Sequence, residues 1–95
     1  MKGADMNNVD TKYDSKSIRM NIIKILSKIS RIDYSGILDS VLIREELGID
    51  SLMAIEIIAN IELMYNIKID ESLMKDINTV GDFVNLIESI VSGRE

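Results

Sequence analysis

Beyond a polar start, the chain alternates between stretches where apolar residues return every three or four positions and stretches where they do not. Ile18, Ile22, Ile25, Ile29 and Ile32 recur at spacings of four and three, the stripe of one helix face. Lys24, Lys28 and Arg31 fall on other faces, and Ser15 or Ser17 can cap the start. The spacing predicts a first helix over about 17–31. Residues 1–15 (MKGADMNNVDTKYDS) carry no such stripe and read as a flexible tail, which leaves 16–95 as the folded domain.

Residues 32–50 predict a long connection. Asp33, Ser35, Gly36 and Asp39 are turn formers, and Ile37, Leu38, Val41, Leu42, Ile43 and Leu47 are expected to pin it to the core. A loop of that length inside a small domain points to a functional segment. A calcium loop starting at Asp33 fails, because its sixth position is Leu38 rather than Gly.

A second helix is predicted from about Ser51 to Tyr65, ended by Asn66. Leu52, Met53, Ile55, Ile57, Ile58, Ile61, Leu63, Met64 and Tyr65 cover most of its circumference. Glu56 and Asn60 share one polar sector, and Glu62 lies roughly opposite. A helix this apolar is expected to be surrounded by others. Asp70-Glu71 opens a short segment over 71–76 with room for one or two turns.

Thr79 followed by Asp82 makes a capping-box pattern before Val80, Phe83, Val84, Ile87, Ile90 and Val91, with Gly93 as a stop. Ile67-Lys68-Ile69 alternates but is too short for a sheet. The fold class expected is therefore all-α: a small four-helix bundle of three long helices and one short one. A long loop joins helices one and two.

Composition narrows the chemistry. The chain has 95 residues with no Cys, His or Pro, and 46% of it is hydrophobic. That is one small domain held by packing alone. Missing Cys and His remove disulfides, thiol nucleophiles, imidazole bases and the usual zinc ligands, so no metal site is expected. A serine nucleophile would need a base such as Lys68 or Lys75, and both read as solvated. Glu45/Glu46 and Asp70/Glu71 are adjacent pairs, which do not face one another on a helix.

The net charge of −5 repels nucleic-acid backbones and anionic membranes and favours basic partners. No apolar run approaches the ~20 residues of a membrane span, and the first fifteen residues do not form a signal peptide. A monomer in the cytoplasm, bound to neither nucleic acid nor the membrane interior, is the expectation.

Ser51 remains. It stands in Leu47-Gly48-Ile49-Asp50-Ser51-Leu52, where a Gly turn leads into the second helix. Serine there is a good N-cap. Asp50 can cap equally well, and Ser51 would then be the first helical residue with its hydroxyl outward. A phosphodiester on that hydroxyl would lie beside the unpaired N–H groups of the first turn.

That hexapeptide resembles the signature of acyl carrier proteins and their peptidyl-carrier relatives. The likeness covers about three quarters or more of the chain. An acidic pair precedes Leu47-Gly48, and a long helix from Ser51 ends near Tyr65. A short helix follows Ile69-Asp70-Glu71, and Thr79-Val80 opens a final amphipathic helix. The resemblance implies a carrier rather than an enzyme. A phosphopantetheinyl transferase would attach 4′-phosphopantetheine from coenzyme A to Ser51. The arm's thiol would hold acyl or aminoacyl groups as thioesters for loading and condensing enzymes.

The resemblance places cargo positions at Ile43, Leu47, Ile57, Ile61, Tyr65, Ile69 and Ile77. All are equally readable as plain core. It places partner recognition at Asp50, Leu52, Met53, Glu56 and Glu62. Fatty-acid carriers usually have an acid or amide at the place of Met53, an acid near Leu63 and a proline before the short helix. The second helix here is less acidic, which tilts the reading towards a polyketide or other specialised pathway. A housekeeping fatty-acid carrier, an aminoacyl or peptidyl carrier and a D-alanyl carrier for cell-wall polymers are the alternatives within the family. The start at Met1 and the end just after the last helix read as a free-standing carrier. A structural or adaptor bundle with Ser51 as a mere cap is the alternative from another class.

Overall fold

Asp14 opens the first helix. A computed structural model of the chain describes residues 13–93. In it the Asp14 carboxylate accepts a hydrogen bond from the Ser17 backbone N–H at 2.9 Å, and α1 runs Ser15–Ser30. The cap is therefore Asp14 rather than Ser15 or Ser17. Ser15 Oγ instead donates to Glu88 Oε2 at 2.6 Å. The tail expected over 1–15 lies outside the described residues except at Tyr13, which precedes α1, Asp14, which caps it, and Ser15, its first residue.

Arg31 ends α1 in the left-handed region, with φ 66° and its N–H on the Ser27 carbonyl at 2.8 Å. The fully buried line is Ile18, Ile22 and Leu26, at a strict four-residue spacing. Ile25, Ile29 and Ile32 are half-buried flanks, and Ile32 lies past the helix. Leu26 was hidden among the isoleucines whose mixed spacing suggested the stripe.

Helix α2 runs Ser51–Tyr65, and Asn66 stops it with φ 54° and its N–H on the Glu62 carbonyl. Ile57, Ile61 and Tyr65 are its buried residues. It is not surrounded by other helices, as its composition suggested: Leu52 is 75% exposed, Ile55 60% and Leu63 80%. One face packs on the core, another lines a groove, and the remaining one meets water.

The short fourth helix is a 3₁₀ segment, Glu71–Asp76. Asp70 caps it, accepting from the Ser72 N–H at 2.9 Å and Oγ at 2.8 Å. Helix α3 runs Val80–Gly93. Its capping box is reciprocal: Thr79 Oγ1 accepts from the Asp82 N–H at 3.1 Å, and Asp82 Oδ2 accepts from the Asn78 and Thr79 N–H groups at 3.2 Å. Val80, Phe83, Val84, Ile87 and Val91 are buried in the core, and α3 packs on α1.

The connection between α1 and α2 is structured throughout. It opens with a 3₁₀ turn, Tyr34–Gly36, capped by Asp33. Ile37, Leu47 and Ile49 are buried, and Val41, Leu42 and Ile43 are half-buried. Leu38 is exposed, contrary to expectation, because the Val41 N–H closes a turn on its carbonyl at 3.0 Å and faces its side chain outward.

An isolated antiparallel bridge joins Leu42 to Thr79. Its hydrogen bonds run from Ile43 N–H to Asn78 O and from Val80 N–H to Val41 O, both at 2.9 Å. Gly81 N–H adds a bond to Asp39 O at 2.9 Å, and a Cβ on Gly81 would come within 3.2 Å of the Asp39 Cβ. Arg19 pairs with Asp39 through both guanidinium nitrogens. This bond holds the Asp39 carboxyl below its usual range. The loop is thus tied to α1 and α3, which leaves its far end free to present α2. No helix among the described residues is long and apolar enough to cross a membrane.

Candidate functional site

Gly48 sets the geometry before Ser51. Its φ of +69° lies where side-chain-bearing residues are strained. The turn is locked on both sides. Leu47 and Gly48 N–H groups bond the Leu42 and Arg44 carbonyls at 3.2 and 3.1 Å, and Ile49 N–H bonds the Ile43 carbonyl at 3.3 Å. Glu46 Oε1 accepts from the Leu42 N–H at 2.7 Å. Leu47 and Ile49 are buried on either side of the glycine, so the chain leaves the core at a fixed point and enters α2.

Asp50 is the N-cap of α2. Its carboxylate accepts from the Met53 N–H at 2.9 Å. Ser51 is the first helical residue and is exposed. The capping role is filled by Asp50, and the Ser51 hydroxyl is left to solvent at the positive end of a fifteen-residue helix.

Asp50 and Ser51, both exposed, are among the residues that line a half-open groove of about 840 Å³ between α2, the loop and the 3₁₀ segment. Ile43, Ile49, Ala54, Ile58, Ile69, Met74 and Ile77 give it an apolar lining. Arg44, Glu45, Glu62, Lys68, Asp70 and Glu71 supply charge. A small cavity of about 30 Å³ lies behind, where Leu26, Ile57 and Phe83 join five residues shared with the groove.

Of the expected cargo positions, Ile43, Ile69 and Ile77 line the groove, and Ile57 reaches only the small cavity. Leu47, Ile61 and Tyr65 are buried core and line neither. Tyr65 is held on the α1 side: its hydroxyl accepts from Asn21 Nδ2 at 2.9 Å, and its ring meets Tyr13 at 5.9 Å between centroids. Burial pushes its phenol pKa up. Sequence reasoning missed Ile49, Ala54, Ile58 and Met74. The signal for two of them was present, because helical stepping from Ser51 places Ala54 and Ile58 on its own face.

The expected recognition residues separate similarly. Asp50, Leu52 and Glu56 are exposed, and Met53 is half-buried. Glu62 is half-buried and turns back to accept from the Ile69 N–H at 2.8 Å. Lys68 and Lys75 are exposed, and neither stands beside a serine in a hydrogen-bonded pair among the described residues. No group of three metal-ligating side chains occurs among the described residues.

These features fit a phosphate-linked arm. Ser51 would hold it through Oγ, the first turn of α2 would face its phosphate, and the groove offers an apolar path beside it.

Comparison with known proteins agrees. A family profile described as "Phosphopantetheine attachment site" matches residues 21–87, more than two thirds of the chain. The chain is 32% identical over 72 residues to the acyl carrier protein of Shigella flexneri, covering 76% of this chain and 92% of that one. It is 29% identical over 73 residues to the acyl carrier protein of Thermotoga maritima, covering 77% and 90%. It is 49% identical over 47 residues to acyl carrier protein 1, chloroplastic, of Hordeum vulgare, where the match spans half of this chain and 32% of the barley protein. The chain belongs to the acyl carrier protein family, whose members are carriers rather than enzymes and bear covalent phosphopantetheine.

Proposed function

We propose that Ser51 is the residue that carries 4′-phosphopantetheine and that the chain presents acyl or aminoacyl cargo to biosynthetic enzymes. The observation that carries this is the division of labour at the start of α2. Asp50 caps the helix, so the exposed Ser51 hydroxyl has no structural duty and borders a groove with apolar and charged walls. When bound, the group supplies a thiol that holds cargo as a thioester. The chain's own part is to orient Ser51, offer N–H groups to the phosphate and cover apolar cargo with Ile43, Ile58, Ile69, Met74 and Ile77.

The partners are a phosphopantetheinyl transferase and loading and condensing enzymes, met by the monomer. Recognition runs through Asp50, Leu52, Met53 and Glu56. Glu62 contributes less than its sequence position implies, because its carboxylate is engaged with Ile69. With Leu52, Ile55 and Leu63 open to water, the contact is more apolar than charged. That supports a dedicated carrier in a polyketide or other specialised pathway over a general fatty-acid carrier.

The test is intact mass after incubation with coenzyme A and a broad-specificity transferase. Wild type should gain one phosphopantetheine and Ser51→Ala none. An unmodified wild type would favour an adaptor bundle with no arm, and a modified Ser51→Ala would move the site elsewhere.

A further inference from the structure

The net charge of −5 hides a strong segregation. Helix α1 carries Lys16, Arg19, Lys24 and Lys28 with no acid, and Arg31 follows. Residues 32–93 carry twelve acidic and three basic side chains. After Ser15, the exposed residues of α1 are Lys16, Met20, Lys24 and Lys28, at a strict spacing of four. That is one ridge of the helix surface, diametrically opposite the buried line Ile18, Ile22 and Leu26. Arg19 is neutralised by Asp39, while Lys16, Lys24 and Lys28 form no ion pair among the described residues. Met20, in the row between them, is 51% exposed.

We propose that this ridge docks the protein on an anionic phospholipid surface, peripherally and with Ser51 facing away. The ridge is convex and about 18 Å long at 1.5 Å per residue. It offers point charges on flexible stems rather than a shaped cleft, which suits a fluid plane of phosphates better than a folded partner. Met20 can enter the interface between the lysines. The rest of the apolar face of α1 is spent on the core, so the helix does not insert.

The acids of α2 and the 3₁₀ segment lie across the bundle. A helix with its side chains is about 10 Å across and packed helices stand 8–10 Å apart, so the far side of the bundle is about two screening lengths from the surface at physiological salt. Those acids oppose docking weakly and orient the molecule, whereas Asp14 and Glu88 stand nearer, at the Lys16 end of the ridge, and leave Lys24 and Lys28 as its less opposed charges. The buried side of α1 packs on α2 and α3, so the docked molecule holds α2 towards the solution. This inference is independent of the carrier reading.

The test is flotation of the full chain with vesicles of phosphatidylglycerol and phosphatidylcholine, and with phosphatidylcholine alone, at low and physiological salt. Wild type should float with the anionic vesicles, less so as salt rises, and not with the neutral ones. Each lysine near such a surface is worth about fivefold in partition. The triple variant Lys16→Gln, Lys24→Gln, Lys28→Gln should therefore lose about a hundredfold.

Lys24→Gln should lose about fivefold, whereas Lys75→Gln, the same change in net charge on the 3₁₀ segment, should lose almost nothing. Equal losses for Lys24→Gln and Lys75→Gln would overturn the ridge. No flotation of wild type at low salt would overturn the docking. Equal binding to duplex DNA or to polyglutamate at matched anion concentration would overturn the lipid assignment. Because transferase modification of Ser51 is read on the same samples, failure of either reading is seen separately.

Discussion

Glu62, near the end of α2, accepts a hydrogen bond from the Ile69 backbone N–H at 2.8 Å, seven residues further along the chain. It thereby holds the segment that walls one side of the groove, where Lys68, Ile69 and Asp70 stand. Glu62→Ala would leave that half-buried N–H without its acceptor. The expected loss is about 1–3 kcal/mol in urea unfolding. Glu62→Gln keeps a carbonyl acceptor and should recover most of it. Equal losses for the two variants would show that the charge, not the hydrogen bond, matters.

Ile61 and Ile58 are one turn apart with different duties. Ile61 is fully buried, so Ile61→Ala should cost about 2–5 kcal/mol. Ile58 is half-buried on the groove, where solvent or cargo can fill the space, so Ile58→Ala should cost clearly less. Thermal and urea unfolding of the pair measure the contrast. The reverse order would place the core on the groove side of α2.

Asp50 and Ser51 should separate stability from modification. Asp50→Ala removes the bond to the Met53 N–H and should cost about 1 kcal/mol. Ser51→Ala removes no hydrogen bond seen among the described residues and should change stability little. A marked loss for Ser51→Ala would give its hydroxyl a structural role.

Stability should fall at both ends of the pH scale. Hydrogen bonds from Ser35, Arg19, Ser72 and the Thr79 N–H hold Asp33, Asp39, Asp70 and Asp82 below their ordinary value of 3.8. The unfolded chain therefore binds more protons as pH drops through that value, and the stabilisation present above it is lost below. Tyr65 moves the other way. Burial raises its pKa above the ordinary 10.0, so its contribution is complete below pH 10 and lost as pH rises past the raised value. Urea midpoints from pH 7 down to 2.5 and up to 11 should fall in both directions. A midpoint still flat at pH 2.5 would mean these bonds add nothing to folding.

How much of this was legible in the sequence depended on the kind of signal. Helix ends were, because they are written in local chemistry: Asp50 before Ser51, Asn66 after Tyr65, and the Thr79–Asp82 box all act within four residues. The start of α1 misled because Ser15 and Ser17 both read as caps, whereas Asp14 takes that role and Ser15 turns to Glu88. The faces of α2 were not legible. With apolar residues almost all round, periodicity has no contrast, and tertiary contacts alone separate core Ile61 from groove Ile58 and open Leu63. The attachment candidate was legible as a motif. The groove was not, since it is assembled from Ile43, Ile58 and Met74, far apart in sequence.

The ring contact between Tyr13 and Tyr65 fixes where the amino-terminal segment joins the bundle. Tyr65 is the last residue of α2 and Ser51 the first, so the two lie about 21 Å apart along that helix. A tag, a fused domain or a solid support attached upstream of Tyr13 therefore meets the bundle at the pole remote from the serine. Tethering from that side would leave the Ser51 end of α2 clear of the support, which makes the amino terminus the natural handle for immobilising or fusing the chain.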